Sequence, residues 1–139
     1  MLYEWWAEYG LYCISERVYS RVEKRKLLYW EGSSKKDFKE FPIPVQKDMG
    51  VALFIAQLGR TAGSAKAWKG QGPGVFELLE DHRGDTFRAV YAVHLADAIH
   101  VLHAFQKKSK VGIATPKPDV DLIEKRLKAV LARHGLGGR

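Results

Sequence analysis

Two short stretches hold most of the residues able to do chemistry. In Asp85-Thr86-Phe87-Arg88-Ala89-Val90-Tyr91-Ala92-Val93 a single arginine interrupts an apolar run, and Ile99-His100-Val101-Leu102-His103-Ala104-Phe105 leads into Gln106 and the lysines Lys107, Lys108 and Lys110. A planar guanidinium grips a phosphate through two parallel hydrogen bonds, which an ammonium cannot do. Two adjacent strands carrying these cations suit a polyanion that is to be held and cut, with RNA the leading substrate. Cleaving RNA without a metal takes a base for the 2′-hydroxyl proton, cations for the charged transition state, and an acid for the leaving 5′-oxygen. Arg88 is the first candidate for the cationic role. His103 is a candidate proton carrier, because imidazole titrates near neutrality; a histidine between apolar strand residues is also often a hydrogen-bonded core residue. Glu77 is a candidate base or an ordinary cross-strand salt bridge. Crowded cations favour proton release, so a lysine of the Lys107/Lys108 pair is a second candidate acid or base. Lys66, Lys69 and Lys110 are assigned to RNA binding, Lys110 to a backbone phosphate; the alternative for the lysines is a solvated strand end.

Local signals place these residues on elements. A strand is expected over Leu27 to Glu31, then Gly32-Ser33-Ser34, where a serine caps a short helix from Ser34 to Phe41 that stops at Pro42. Val45, Met49, Ala52, Leu53 and Ala56 approximate a 3.6-residue period, predicting a helix from about Pro44 to Leu58, closed by Gly59. The glycines between 59 and 74 predict a mobile connection; they lack P-loop spacing and are turn residues. Three strands follow, Val75 to Glu80, Thr86 to His94 and Ala98 to Lys107, the first two joined by a turn over 81–85. Strict alternation puts His103, Phe105 and Lys107 on one face of the last strand and His100, Leu102, Ala104 and Gln106 on the other; it also sends Tyr91 away from Arg88, into the core. Asp119 is expected to cap a final helix whose apolar stripe is Val120, Ile123, Leu127, Val130 and Leu131, with Lys125, Arg126 and Lys128 near its polar side.

The predicted class is α+β: two N-terminal helices packed on one face of a small, mainly antiparallel twisted sheet, a C-terminal helix, and the other face partly open. With 139 residues and 46% hydrophobic residues, one domain with a real core is expected. A net charge of +7 favours phosphate-bearing partners. Cys13 is the only cysteine, so neither an internal disulfide framework nor zinc-ligand spacing is present, which fits a reducing cytoplasm. Glu4, Glu8, Glu16 and Arg17 interrupt the aromatic N-terminal region, against a signal peptide or a membrane span.

Phe87-Arg88-Ala89-Val90-Tyr91-Ala92-Val93, Phe105-Gln106-Lys107-Lys108-Ser109-Lys110 and Ile113-Ala114-Thr115-Pro116 resemble RelE/HigB-type toxins, most nearly the phage-derived HigB-like branch. The resemblance runs from about Leu27 to Leu131 and includes Trp30-Glu31-Gly32-Ser33-Ser34, Gln57-Leu58-Gly59, Trp68-Lys69-Gly70 and Glu77 in order. It implies a RelE-like fold and a toxin of a type II toxin–antitoxin system, an mRNA interferase cleaving messenger RNA, often on the ribosome, to arrest growth. It further implies no cofactor or metal, a helix-turn-helix antitoxin as partner, and contact with operator DNA only through that antitoxin. Arg88 falls on the family's strand arginine, Lys107 and Lys108 on its basic pair after the last strand, and Lys69 near a basic residue ahead of the strands. The chain departs from RelE patterns in having no tyrosine between Lys110 and Asp119, which leaves the general acid unassigned. Residues 1–26 are read as an extension outside the family match, 27–134 as the toxin domain and 135–139 as a tail. Two rivals stand beside the nuclease: a ParE-like toxin that poisons DNA gyrase, and a non-catalytic basic protein that binds nucleic acid or the antitoxin.

Overall fold

The computed structural model describes residues 25–95, 98–107 and 115–135. In chain order they form β1 (Leu27–Trp30), α1 (Ser34–Lys39), α2 (Ile43–Gln57), β2 (Ala65–Ala67), β3 (Val75–His82), β4 (Asp85–Leu95), β5 (Ala98–Lys107) and α3 (Lys117–Arg133). The strands make one five-stranded sheet in the order β1-β5-β4-β3-β2. Only the β1–β5 pair is parallel; the others are antiparallel, so the mixed α+β class holds.

Proline and glycine set the breaks. Pro42 lies in an extended conformation between α1 and α2, and Pro44 sits in the first turn of α2, where a missing N–H costs no helical bond. Gly59, at φ +83°, follows the last turn of α2, and its N–H donates to Ala56 O over 2.9 Å. Arg83 (φ 50°) and Gly84 (φ 86°) form the two-residue hairpin between β3 and β4, the left-handed pair that matches strand twist.

The helices lie on both faces of the sheet, and here the expected arrangement needs correction. On one face α1 and α2 bury Phe38, Met49 and Leu53 against Leu28, Leu78, Ala89, Tyr91, Ile99 and Val101. The face expected to be partly open carries a second core, in which Ile123, Leu127 and Val130 of α3 cover Val75, Val90, Ala92 and Leu102. Each such side chain removed from water contributes about 1.5–3 kcal/mol, enough to hold the amphipathic α3 in place. Tyr91 points away from Arg88, as alternation requires; burial pushes its phenol up to about 12, and its hydroxyl has no hydrogen-bond partner among the described residues.

Three other details differ from expectation. The glycine-rich connection contains β2, in register with β3 through Lys66↔Glu77. Asp119 does not cap α3, which begins at Lys117 after Pro116; Asp119 lies in its first turn and accepts from His103 instead. Strict alternation also fails in β5, because the register slips from Val90↔His103 to Tyr91↔Val101. The bulged residue is Leu102, so Leu102 and Phe105 pack on the α3 side while Val101 and Ala104 pack on the α1/α2 side. The guanidinium of Arg126 fixes the bulge by donating to Leu102 O over 2.8 Å and to Ser33 Oγ over 3.1 Å.

Candidate polyanion-binding cleft

Cross-strand pairing gathers the predicted residues on the α3 side of the sheet. Lys66 lies opposite Glu77, Glu77 opposite Val90, and Val90 opposite His103. The next row on that face holds Leu79, Arg88 and Phe105, and the one beyond holds Asp81, Thr86 and Lys107. Arg88 and Glu77 are therefore diagonal neighbours, and Lys107 stands one row from Arg88, about 7 Å along the strand direction.

Past the N-terminal end of α3 this face opens into a cleft of about 810 Å³ lined by Lys66, Trp68, Lys69, Glu77, Leu79, Arg88, Thr115 and Val120, with Ala67. Arg88 is only 9% exposed, yet it borders the cleft rather than lying sealed in the core. Its Nη1 donates to Glu77 Oε2 at 3.3 Å and to Thr115 Oγ1 at 2.8 Å. Glu77 is itself half-sheltered, with 15% of its side chain exposed, so the pair is screened less than a surface ion pair. The cleft thus offers one oriented guanidinium, one carboxylate and two flanking ammonium groups. Those are the parts needed to hold a phosphate beside a proton acceptor.

Four predicted residues, Lys66, Lys69, Glu77 and Arg88, meet in this cleft. Lys107 shares the face but does not line the cleft; Lys108 and Lys110 lie outside the described residues. His103 borders a different hollow, of about 550 Å³, together with Asp37, Glu40, Phe41, Phe87, Ala104, Phe105, Gln106, Pro116 and Asp119. Its Nε2 is 2.8 Å from Asp119 Oδ1 and its ring stacks on Phe105 at 4.7 Å. The segment running into α3 separates the two hollows: Thr115 and Val120 line one, Pro116 and Asp119 the other. Thr115 and Trp68 also line the cleft, though neither is among the expected site residues. An aromatic residue set between Lys66 and Lys69 was the available signal for Trp68; Thr115 is brought to Arg88 by tertiary structure alone.

His100, the weaker histidine candidate, lies at the other end of β5. Its Nδ1 is 2.9 Å from Glu31 Oε2, and Arg133 donates to Glu31 Oε1 over 2.6 Å, tying β1 and β5 to the end of α3. Burial alone would raise the Glu31 carboxyl, but the hydrogen bonds and charges of His100 and Arg133 outweigh it and hold the group below its ordinary 4.5. This cluster locks the fold at the end of the sheet away from Lys107.

The α+β fold gives this small basic protein a sheet face on which an arginine–glutamate pair and two lysines line one cleft. The chain belongs to the family described as Phage derived protein Gp49-like (DUF891), whose pattern matches residues 36–128, more than half of its length. That family is toxin-like and related to the RelE/HigB-type toxins, and it implies an antitoxin partner. No curated protein matches the chain. No helix among the described residues is long and apolar enough to cross a membrane.

Proposed function

We propose that this protein is the toxin of a type II toxin–antitoxin pair and acts as an endoribonuclease on messenger RNA during translation on the ribosome, in the cytoplasm, held in check by a helix-turn-helix antitoxin. The observation that carries this reading is the convergence of Arg88, Glu77, Lys66 and Lys69 on one cleft. In this reading the scissile phosphate sits against the Arg88 guanidinium. Glu77, held by Arg88, removes the proton from the 2′-hydroxyl; the 2′-oxygen attacks phosphorus and the bond to the 5′-oxygen breaks. A lysine of the Lys107/Lys108 pair gives that oxygen its proton, leaving a 2′,3′-cyclic phosphate and a free 5′-hydroxyl. Arg88 and the lysines stabilise the extra negative charge of the transition state more than that of the ground state, which is what lowers the barrier. Lys66, Lys69 and Lys110 hold neighbouring phosphates. His103 is assigned to anchoring α3, because its ring is committed to Asp119 in the other hollow.

The test is induction in a bacterial host, with 5′ ends mapped on cellular transcripts. Discrete new 5′ ends and growth arrest, both lost in Arg88→Ala while the variant still folds, are the expected result. Full toxicity of Arg88→Ala overturns the assignment, and DNA breakage with intact transcripts overturns the nuclease in favour of gyrase poisoning.

A further inference from the structure

Two buried N–H donors in the Arg88 cleft have no acceptor among the described residues: Arg88 Nε and Trp68 Nε1. Trp68 is 8% exposed and Arg88 9%, and both line the same cleft. Leaving a buried donor unbonded is costly, and most such groups in folded proteins have a partner. Guanidinium and indole are donor-only groups. The Glu77 carboxylate is bonded through Oε2 to Arg88 Nη1, and Thr115 Oγ1 receives a bond from the same nitrogen. A ligand rich in acceptor oxygens would satisfy both donors together.

The indole is fixed for this task. The Trp68 backbone N–H donates to Val75 O over 2.8 Å, and the ring packs in the core beneath α3 with Val75 and Val90. With the ring packed there, the edge N–H is the polar group it brings to the cleft. Lys66 and Lys69, on either side of it in sequence, add charge that keeps an anion in place.

We propose that Trp68 is a substrate-binding residue whose indole N–H donates to a non-bridging oxygen of the phosphodiester held by Arg88, with Arg88 Nε donating to the same phosphate. This rests on the reading of the cleft as an RNA site and adds a neutral donor to its cationic grip.

The test uses the full chain labelled with ¹⁵N in its tryptophan indoles, titrated with a mixed-sequence 2′-fluoro RNA nonamer that cannot be cleaved through a 2′-hydroxyl. The chain has four tryptophans, so the Trp68 signal is separable and is assigned by its loss in Trp68→Phe. The expected result is a downfield move of that signal on binding, with affinity of the folded Trp68→Phe variant for the nonamer roughly tenfold or more weaker. A merely structural tryptophan would leave the affinity of the folded variant alone. Should Trp68→Phe fail to fold, the wild-type titration decides, with the signal assigned through its contact to Val75. Binding that depends on Arg88 but leaves the Trp68 signal still and the Trp68→Phe affinity intact overturns the inference and spares the nuclease. A moving signal and weakened variant in a protein that cleaves no RNA overturns the nuclease and spares the inference. No binding of the nonamer overturns both.

Discussion

The Arg88 cleft and the His103 hollow lie on either side of the segment leading into α3, and each pairs a sheet side chain with a carboxylate. In the hollow the partner is Asp119 on α3, so the bond joins sheet to helix and fastens a core. In the cleft the partner is Glu77 on the neighbouring strand of the same sheet, and Arg88, which also bonds Thr115 ahead of α3, keeps Nε as a cationic donor without a partner among the described residues. A buried polar pair that bridges two elements stabilises their packing; one that stays within a single sheet and faces a cavity is free to serve a ligand.

The sharpest way to break this contrast is to exchange the roles by mutation. Arg88→Ala should lower RNA cleavage about 10²–10³-fold, with a modest drop in denaturant midpoint from the lost bonds to Glu77 and to Thr115 ahead of α3. His103→Ala should do the reverse, costing roughly 1.5–3 kcal/mol of stability for a hydrogen bond to a charged partner, with cleavage by the folded protein within a few-fold of wild type. A large activity loss in folded His103→Ala would return that histidine to the catalytic set.

The contrast is sharpened next by Glu31, whose bridge between His100 and Arg133 is structural like that of His103. Its carboxyl is depressed in the folded state, so its stabilisation is fully present above about pH 4.5, the ordinary carboxyl value, and is lost as pH falls through the lower folded value. Glu31→Gln should remove that acid-limb loss from a stability–pH profile while lowering stability at neutral pH, and leave RNA affinity unchanged. A smaller effect is expected at Lys69: its alanine variant should bind RNA a few-fold more weakly and flatten the salt dependence by about 0.7 of a logarithmic unit per lost phosphate contact. Smallest is Tyr91→Phe. The phenol is raised to about 12, so its ionisation works against the fold as pH climbs above 10. The variant should gain up to about 1 kcal/mol and soften alkaline unfolding between pH 10 and 12, measured by circular dichroism.

Much of this architecture is written locally. The strands β3, β4 and β5 follow from period-two runs closed by Gly84 and Pro116, and α3 from a 3.6-residue stripe whose Ile123, Leu127 and Val130 are the buried positions. What is not local is not legible. The three residues of β2, Ala-Lys-Ala, are too few and too weak as β-formers to signal a strand, and become one because β3 offers a ladder. The bulge at Leu102 reflects a register set between two strands, and it brings His100 and His103 to one face against simple parity. Asp119 stood at a plausible helix start, and only the approach of β5 turned it into a histidine partner. For the site, residue chemistry and the family resemblance together nominated Arg88, Glu77, Lys66 and Lys69, whereas the donors left over beside them needed three-dimensional packing to be seen.

The short strand β2 has a final consequence. It is an edge strand of three residues, joined to the sheet only through β3, and it carries Lys66 and leads directly into Trp68 and Lys69. Local opening costs least where a peripheral piece has few ladder bonds. Amide hydrogens of Ala65–Ala67 should therefore exchange with solvent well before those of β4, and warming should blunt the cleft's grip below the temperature at which the rest of the molecule melts.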